Sequence, residues 1–259
     1  MSAIVIESVS GGEWLHLRLG RANAVGPHFL DSLDHALDGL PPIDLDGPAR
    51  PVLVTGEGNV FSAGLDLPTL YELDRTGLAR FLLRFDEVLG RFACLDRPTI
   101  AVVNGHAVAG GAVLALACDY RIGATTLPTG KPYGIGLKEG ALGLPLPEIA
   151  ASIVRTGLGG SAWMPEIVLT ADLFDPEAAL GRTILHRLAA PADLVGVATA
   201  ESERFSQATG RAARDLKRLV RADLLERRER QPVDDRFLDA WFAASTRQRI
   251  GELVASLKR

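Results

Sequence analysis

The sequence predicts an α/β fold, because short strand-like runs alternate with segments of helical periodicity before the chain becomes entirely helical. The strand-like runs are rich in Val, Ile and Thr, and the intervening segments place apolar residues three and four positions apart. From Asp193 onward the pattern is helical and charged. Strands that alternate with helices are typical of α/β architecture rather than of a β-sandwich.

The chain opens on a predicted hairpin and a helix. Ala3–Val9 is rich in Ile and Val, Gly11 and Gly12 provide a turn, and Trp14–Leu19 alternates apolar with polar side chains. Pro27–Leu40 then spaces its apolar residues as one face of a helix. The next elements are predicted as the strand Pro51–Thr55, the glycine-punctuated loop Gly56–Gly64, the helix Thr76–Cys94, the strand Thr99–Val103, the buried helix Gly110–Ala117 and a short strand Asp119–Ile122.

A turn-rich segment, Gly123–Pro147, separates these elements from the later helices. A loop of this length inside a compact domain is usually functional or hides regular structure. The helices predicted after it are Glu148–Thr156, Ser161–Leu169, Pro176–Leu180, Leu194–Thr209, Ala212–Arg230 and Asp234–Lys258.

Composition and charge exclude several classes of protein. The 259 residues carry a formal net charge of −4, which argues against a nucleic-acid binder, and 47% of them are hydrophobic, as in ordinary globular proteins. No uncharged apolar run reaches about 18 residues, and the N-terminus lacks the pattern of a signal peptide, so we expect a cytoplasmic protein without a membrane partner. Cys94 and Cys118 have no paired spacing, which excludes a disulfide framework and a cysteine-based zinc site.

The sequence does not match the common motifs for nucleotide binding or for a serine nucleophile. The run GEGNVF at 56–61 lacks the third glycine of a dinucleotide fingerprint, and Gly130-Lys131 is followed by Pro132 rather than Ser or Thr. No serine lies in a G-x-S-x-G elbow. The five histidines are dispersed, so we expect no metal site.

Two glycine-bearing turns remain, and each follows a short hydrophobic strand. They are FSAGLDL at 61–67 and NGHAVAGGA at 104–112. Gly110 would lie near the start of a helix, where backbone N–H groups have no partner and the helix dipole is positive. Two converging N–H groups would form an oxyanion hole, although close packing alone can also require glycine in either turn.

Together the two turns resemble the signatures of the crotonase, or enoyl-CoA hydratase/isomerase, superfamily. The matching segments are VLVTGEGNVFSAGLDL at 52–67 and RPTIAVVNGHAVAGGAVLALACDYRIGA at 97–124. The resemblance implies a spiral of ββα units over 1–192 and a helical region over 193–259 that forms a homotrimer or a dimer of trimers. It also implies an acyl-CoA thioester as substrate, with no separate cofactor because coenzyme A is part of that substrate.

The resemblance assigns roles to individual positions. The oxyanion donors are the backbone N–H groups of Leu65 and Gly110. The positions that hold the pantetheine arm and the adenine or border the nucleotide are Ala63, Asp66, Leu67 and Pro68, with Arg21, Asn23 and Ala24 in the early segment.

The carboxylates distinguish the possible reactions. Hydratases of this superfamily use two glutamates, but this chain has Val113 at the first position and Glu139 at the second. The context IGLKEGALG at 135–143 is similar to the I-G-L-N-E-x-x-L-G pattern of Δ3,Δ2-enoyl-CoA isomerases, which use one glutamate. Among the apolar Val113, Leu137 and Leu142, the pKa of Glu139 should rise, which suits a base.

Two other functions remain open. Glu139 working alone would make the protein an enoyl-CoA hydratase, and a redundant Glu139 would leave a non-catalytic acyl-CoA-binding protein. We assign no role to Lys138, and Glu166 is interpreted as structural or exposed.

Overall fold

The computed structural model describes residues 3–9, 11–230 and 235–257. Its strands in chain order are β1 (Ala3–Val9), β2 (Gly12–Arg18), β3 (Val52–Thr55), β4 (Val60–Ser62), β5 (Thr99–Val103), β6 (His106–Val108), β7 (Tyr120–Ala124), β8 (Ile135–Gly136) and β9 (Arg187–Ala189). Its helices are α1 (Gly20–Asn23), α2 (Pro27–Asp38), α3 (Leu67–Tyr71), α4 (Arg75–Ala93), α5 (Gly110–Leu116), α6 (Glu139–Leu142), α7 (Glu148–Leu158), α8 (Met164–Leu169), α9 (Pro176–Gly181), α10 (Leu194–Phe205), α11 (Gly210–Val220), α12 (Ala222–Arg230), α13 (Asp235–Phe242) and α14 (Ala244–Leu257).

The strands form two sheets that the chain visits alternately. The larger sheet has six strands in the order β1-β2-β3-β5-β7-β9, and the smaller has three in the order β4-β6-β8. Only the hairpin β1–β2 is antiparallel among these pairings. The pairs β3 and β4, β5 and β6, and β7 and β8 each place one strand in each sheet before a helix follows. This is the repeating ββα unit that the family resemblance implies.

Burial explains why the central elements form where they do. All five residues of β5 are buried, as expected of a strand covered on both faces. All seven residues of α5 are buried as well, which is typical of a helix that is hydrophobic on every side. In α4 the N-cap carboxylate of Asp74 accepts a hydrogen bond of 2.6 Å from the Gly77 N–H, which fixes where that helix begins.

The predicted hairpin, the helices α2 and α4 and the strands β3, β5 and β7 are confirmed within one or two residues at most ends. The sequence did not predict β4, β6, β8 or β9, because strands of two or three residues are too short to show a period. The predicted helix 212–230 is wrong as a single helix, because it breaks at Arg221. The predicted helix 234–258 breaks at Ala243, and its first and last residues lie outside the described residues.

A buried charge cluster fixes the C-terminal helices to the sheet. The carboxylate of Asp119, directly before β7, accepts from Lys217 Nζ at 2.7 Å and from Arg221 Nη2 at 2.8 Å. Burial alone would raise the pKa of Asp119, and the two cations hold that pKa below its ordinary value. Lys217 and Arg221 are four residues apart and therefore reach Asp119 from the same side of the chain, which ties the end of α11 to the start of β7.

No helix within the described ranges is long and apolar enough to cross a membrane. The same ranges contain no group of three or more His, Cys, Asp or Glu side chains that could hold a metal ion. Cys94 and Cys118 are both buried, and burial raises the pKa of the Cys118 thiol to about 12. A thiol with such a pKa is unreactive at neutral pH.

Candidate active site

The two glycine-bearing turns meet because the strands before them are neighbours. β4 pairs in parallel with β6, so the turns that follow lie at the same edge of the smaller sheet. A Cβ placed on Gly64 would lie 3.0 Å from the Gly110 nitrogen, and one placed on Gly110 would lie 3.5 Å from the Leu65 nitrogen. The backbone N–H groups of Leu65 and Gly110 therefore lie close together, as an oxyanion hole requires.

Local backbone geometry leaves both N–H groups available. Around Leu65, the Val25 N–H donates to Gly64 O at 2.7 Å and the Asp66 N–H donates to Val25 O at 3.0 Å, and the described residues supply no acceptor for the Leu65 N–H. Gly110 is the first residue of α5, where an N–H has no acceptor within its own helix. Ala109 before it has a φ of 52° and a ψ of −122°, a conformation that costs an alanine about 1 kcal/mol or more.

The glycines in these turns are there for different reasons. A Cβ on Gly111 would lie 2.1 Å from Ser62 O. Gly64 has a φ of +84°, and a Cβ placed on it would lie 2.6 Å from Val108 O. Packing therefore demands glycine at these two positions. A Cβ on Gly110 would meet its nearest atom at 3.4 Å, an ordinary contact, so protein packing does not require glycine there.

Glu139 is brought to the same place by β8. The Ala109 N–H donates to Gly136 O at 2.7 Å, and Glu139 opens α6 three residues later. Its side chain is buried, and Oε2 has no hydrogen-bond partner among the described residues. Burial raises the pKa of Glu139 to about 7, although the backbone N–H groups of Glu139 and Lys138 oppose the rise. Such a carboxyl can both accept and return a proton near neutral pH.

Apolar side chains occupy the remaining predicted site positions on this side. Val113, one helical turn after Gly110, is 1% exposed, and Leu137 is 2% exposed, both within the hydrophobic core. Leu142 packs against that core as a partly buried residue. The position that carries the first hydratase glutamate is thus a buried valine, which can neither hold a water molecule nor transfer a proton.

Residues 16–250 match the family model described as enoyl-CoA hydratase/isomerase. The chain belongs to this family. A protein of Thermus thermophilus, whose enoyl-CoA hydratase name is itself unconfirmed, is 31% identical over 205 residues, which cover 78% of this chain and 77% of that protein. The short-chain-enoyl-CoA hydratase of Clostridium acetobutylicum is 27% identical over 178 residues, or 68% of this chain and 64% of that protein.

Solved structures of the family share the fold. The human mitochondrial Δ3,Δ2-enoyl-CoA isomerase superimposes with a TM-score of 0.87 over 98% of each chain at 23% identity. An enoyl-CoA hydratase/isomerase family protein of Pseudomonas syringae gives a TM-score of 0.75 at 25% identity and covers 95% of this chain and 97% of that one. This family member is therefore an enzyme of crotonase fold.

The residues expected near coenzyme A in this family member are only partly accessible. Ala63 is exposed, and Ala24, Leu67 and Pro68 are partly buried near the first glycine turn. The carboxylate of Asp66 caps α3, accepting from the N–H of Thr69 at 3.3 Å and from its Oγ1 at 2.7 Å, so it has a structural task.

The Asn23 side chain, which the resemblance places in the segment that borders the nucleotide, forms hydrogen bonds within the protein. It is buried, accepts from the Leu19 N–H at 2.9 Å and donates to Phe61 O at 3.0 Å. These bonds tie the early segment to β4. Asn23 is therefore a structural residue that supports the turn carrying Leu65.

Several tertiary contacts cannot be predicted from the spacing of residues in the sequence. Lys138 Nζ donates to Ala171 O at 2.7 Å. Glu166 forms a bidentate ion pair with Arg182, with distances of 2.8 and 3.0 Å. Glu166 is therefore structural, as predicted. On α14, Arg247 donates to Tyr71 O at 3.0 Å, and Arg249 contacts Leu142 O at 3.4 Å. These contacts join distant parts of the chain, so no spacing rule reveals them.

Proposed function

We propose that the protein is an enoyl-CoA isomerase that shifts a double bond from 3-enoyl-CoA to 2-enoyl-CoA with Glu139 as its single base. The observation that carries this proposal is the contrast between two positions. Glu139 is a buried carboxyl with a raised pKa, whereas Val113 fills the place of the first hydratase glutamate. A shift of a double bond needs one proton-transfer group, whereas hydration needs groups that activate a water molecule.

The proposed reaction conserves all atoms of the substrate. The Glu139 carboxylate removes a proton from C2, and the electrons move toward the thioester carbonyl to form a dienolate. The N–H groups of Leu65 and Gly110 donate to the oxygen that becomes negative. The protonated Glu139 then returns the proton to C4, which places the double bond between C2 and C3.

The surroundings of Glu139 favour proton return over hydration. Its Oε2 has no partner among the described residues, so this oxygen is available to accept the proton and to return it. Val113 and Leu137 are buried and apolar, so they give a catalytic water molecule no hydrogen bond. Exclusion of water also protects a dienolate from protonation by solvent.

Acyl-CoA binding completes the proposal. We place the thioester between Leu65 and Gly110, and the pantetheine arm and nucleotide along Ala63, Leu67 and Pro68, with Ala24 bordering the nucleotide and the backbone of Asp66 in the same turn. Coenzyme A belongs to the substrate, and no separate cofactor takes part in this scheme. We also propose that the enzyme works in the cytoplasm.

A homotrimer or a dimer of trimers is supported by the outer face of α11. Leu216, Leu219 and Val220 on that helix are 61%, 73% and 73% exposed, while Lys217 and Arg221 point inward. Large apolar side chains exposed together on one helix are typical of a surface that contacts a partner. A second copy of the chain supplies such a partner.

A hydratase is the second candidate, because relatives at 31% and 27% identity carry hydratase names. The two activities separate when purified enzyme is assayed with 3-enoyl-CoA and with 2-enoyl-CoA as single substrates. We expect isomerisation to exceed hydration by about 100-fold, the scale of one missing acid–base group. Comparable rates would favour the hydratase, and binding of both substrates without turnover would leave an acyl-CoA-binding protein.

A further inference from the structure

The turn that carries Glu139 rests against a backing segment, residues 171–174. Ile135 and Phe174 exchange two backbone hydrogen bonds of 2.9 Å each. A Cβ on Gly136 would lie 2.3 Å from Asp172 O, so the two backbones are in close contact there as well. The backing segment is therefore the surface against which the glutamate turn is positioned.

Lys138 adds a side-chain link to the same segment. Its Nζ donates to Ala171 O at 2.7 Å, although the two residues are 33 positions apart in the sequence. Ala171 has a φ of 55°, a left-handed conformation that alanine rarely adopts. The carbonyl that Lys138 binds thus belongs to a residue held in an unfavourable conformation, as is common where a structure fixes a functional segment.

The helix that begins with Glu139 cannot hold its own position. α6 contains four residues, a single turn, and one helical turn is not stable without contacts to the rest of the protein. At its C-terminal end, Arg249 Nη1 lies 3.4 Å from Leu142 O. At its N-terminal end, the N-cap residue Lys138 adds a side-chain hydrogen bond to the backbone contacts made by Ile135 and Gly136.

We propose that Lys138 is a positioning residue, whose ammonium group binds the Ala171 carbonyl and so holds the start of α6 with the Glu139 carboxyl directed toward the two oxyanion turns. This inference rests on the proposed function, in which Glu139 is the base. With Oε2 unpartnered, the carboxyl takes its direction from the backbone that carries it.

The test compares Lys138→Met, Lys138→Arg and the control Lys131→Met. Methionine keeps an unbranched side chain of similar length but cannot donate, arginine can still donate, and Lys131 is an exposed lysine of the same segment. For Lys138→Met we expect kcat for 3-enoyl-CoA to fall about 10- to 100-fold, the scale on which misplacement of a catalytic group acts. KM should change less than about threefold, because binding is shared across the whole acyl-CoA. Lys138→Arg should recover most of kcat, and Lys131→Met should match the wild type.

The pH profile separates positioning from a direct charge effect. A loosened α6 would let water reach Glu139, so its pKa would fall and the rising limb of kcat would move to lower pH in Lys138→Met. A role that only stabilises the fold would reduce the active fraction without moving this limb. Movement of the limb to higher pH would show that the ammonium acts on the carboxylate through its charge, which would overturn the proposal.

Other outcomes also decide the matter. A Lys138→Met enzyme with kcat within about twofold of wild type, or a kcat that Lys138→Arg does not recover, would contradict positioning by this hydrogen bond. Glu139→Gln measured in parallel keeps the two proposals distinguishable. If Glu139→Gln is inactive and Lys138→Met is normal, only the positioning role fails, whereas an active Glu139→Gln removes the base and the positioning role together.

Discussion

In the proposed reaction, burial prepares the side chain of Glu139 for proton transfer. It lies at the start of α6 with one carboxyl oxygen unpartnered among the described residues, and burial raises its pKa to about 7. A carboxylate with an ordinary pKa would be a weak base toward the α-carbon of a thioester. The desolvation that destabilises the charge in the folded protein is the same effect that strengthens the base.

This raised pKa has a consequence for stability that can be measured. Because the folded-state pKa of about 7 exceeds the ordinary value of 4.5, the contribution of Glu139 to stability is complete below about pH 4.5 and is lost as the pH rises through 7. We expect Glu139→Gln to be more stable than wild type at pH 8 by about 1–3 kcal/mol, with little difference at pH 5. The same variant should lose turnover about 100- to 10,000-fold. Denaturant unfolding at the two pH values checks the first expectation, and equal differences at both would contradict a raised pKa.

The two adjacent glycines of α5 make a matched pair of test positions. In Gly110→Ala the new Cβ would lie 3.5 Å from the Leu65 nitrogen, where it fits the fold but crowds the second of the two proposed oxyanion donors. We expect a folded protein whose kcat/KM falls about 100- to 1,000-fold, as for loss of an oxyanion contact. In Gly111→Ala the Cβ would lie 2.1 Å from Ser62 O, so the free energy of unfolding should drop by about 1–3 kcal/mol. A Gly110→Ala enzyme with near-normal turnover would remove Gly110 from the oxyanion hole.

Among the elements, the short strands position the residues of the candidate site, although they are the hardest to predict. The long periodic helices and the hydrophobic strands β3 and β5 were predictable because their patterns extend over enough residues. β4, β6 and β8 place Leu65, Gly110 and Glu139 together, but they have three residues or fewer. The site residues were accessible through the resemblance of their motifs, whereas Lys138 and Ala171 meet only through tertiary structure.

The junction of α11 and α12 depends on the charges it buries. Asp119 neutralises part of the charge of Lys217 and Arg221, which are 8% and 5% exposed. Asp119→Asn should lower the free energy of unfolding by about 3 kcal/mol, because it leaves two buried cations without their anion. The control Asp96→Asn removes a pair with the exposed Arg218 and should cost less than about 1 kcal/mol. Equal losses in the two variants would show that burial of the cluster does not matter.

At the scale of the whole molecule, the ββα spiral explains how distant segments share one site. Each turn of the spiral places a strand in the smaller sheet, and the turns after β4 and β6 and the helix after β8 therefore meet at one edge. α14 contacts both α3 and α6 from outside, through Arg247 and Arg249. The division of the chain into a core, 1–192, and a helical region, 193–259, stays a prediction.

The exposed leucines of α11 give a prediction about assembly. If they lie between copies of the chain, Leu219→Glu should convert a trimer or hexamer into smaller species, because a buried interface does not accept an unpaired charge. Leu219 is 73% exposed in the single chain, so the monomer itself should keep its fold. Analytical ultracentrifugation of both proteins, with circular dichroism as the folding control, checks this. A wild-type protein that sediments as a monomer would contradict the assembly.

In the proposed reaction, the Glu139 carboxyl alone moves a proton from C2 to C4 of the same substrate. The most direct measurement uses 3-enoyl-CoA carrying deuterium at C2 and follows the 2-enoyl-CoA product at early times by mass spectrometry and NMR. Because Glu139 is buried and holds a single proton in its acid form, it should return part of the abstracted deuterium to C4 before exchange with water. Deuterium at C4 in the first turnovers is therefore the predicted result. A C4 hydrogen that comes entirely from solvent from the first turnover onward would contradict a single-base isomerase.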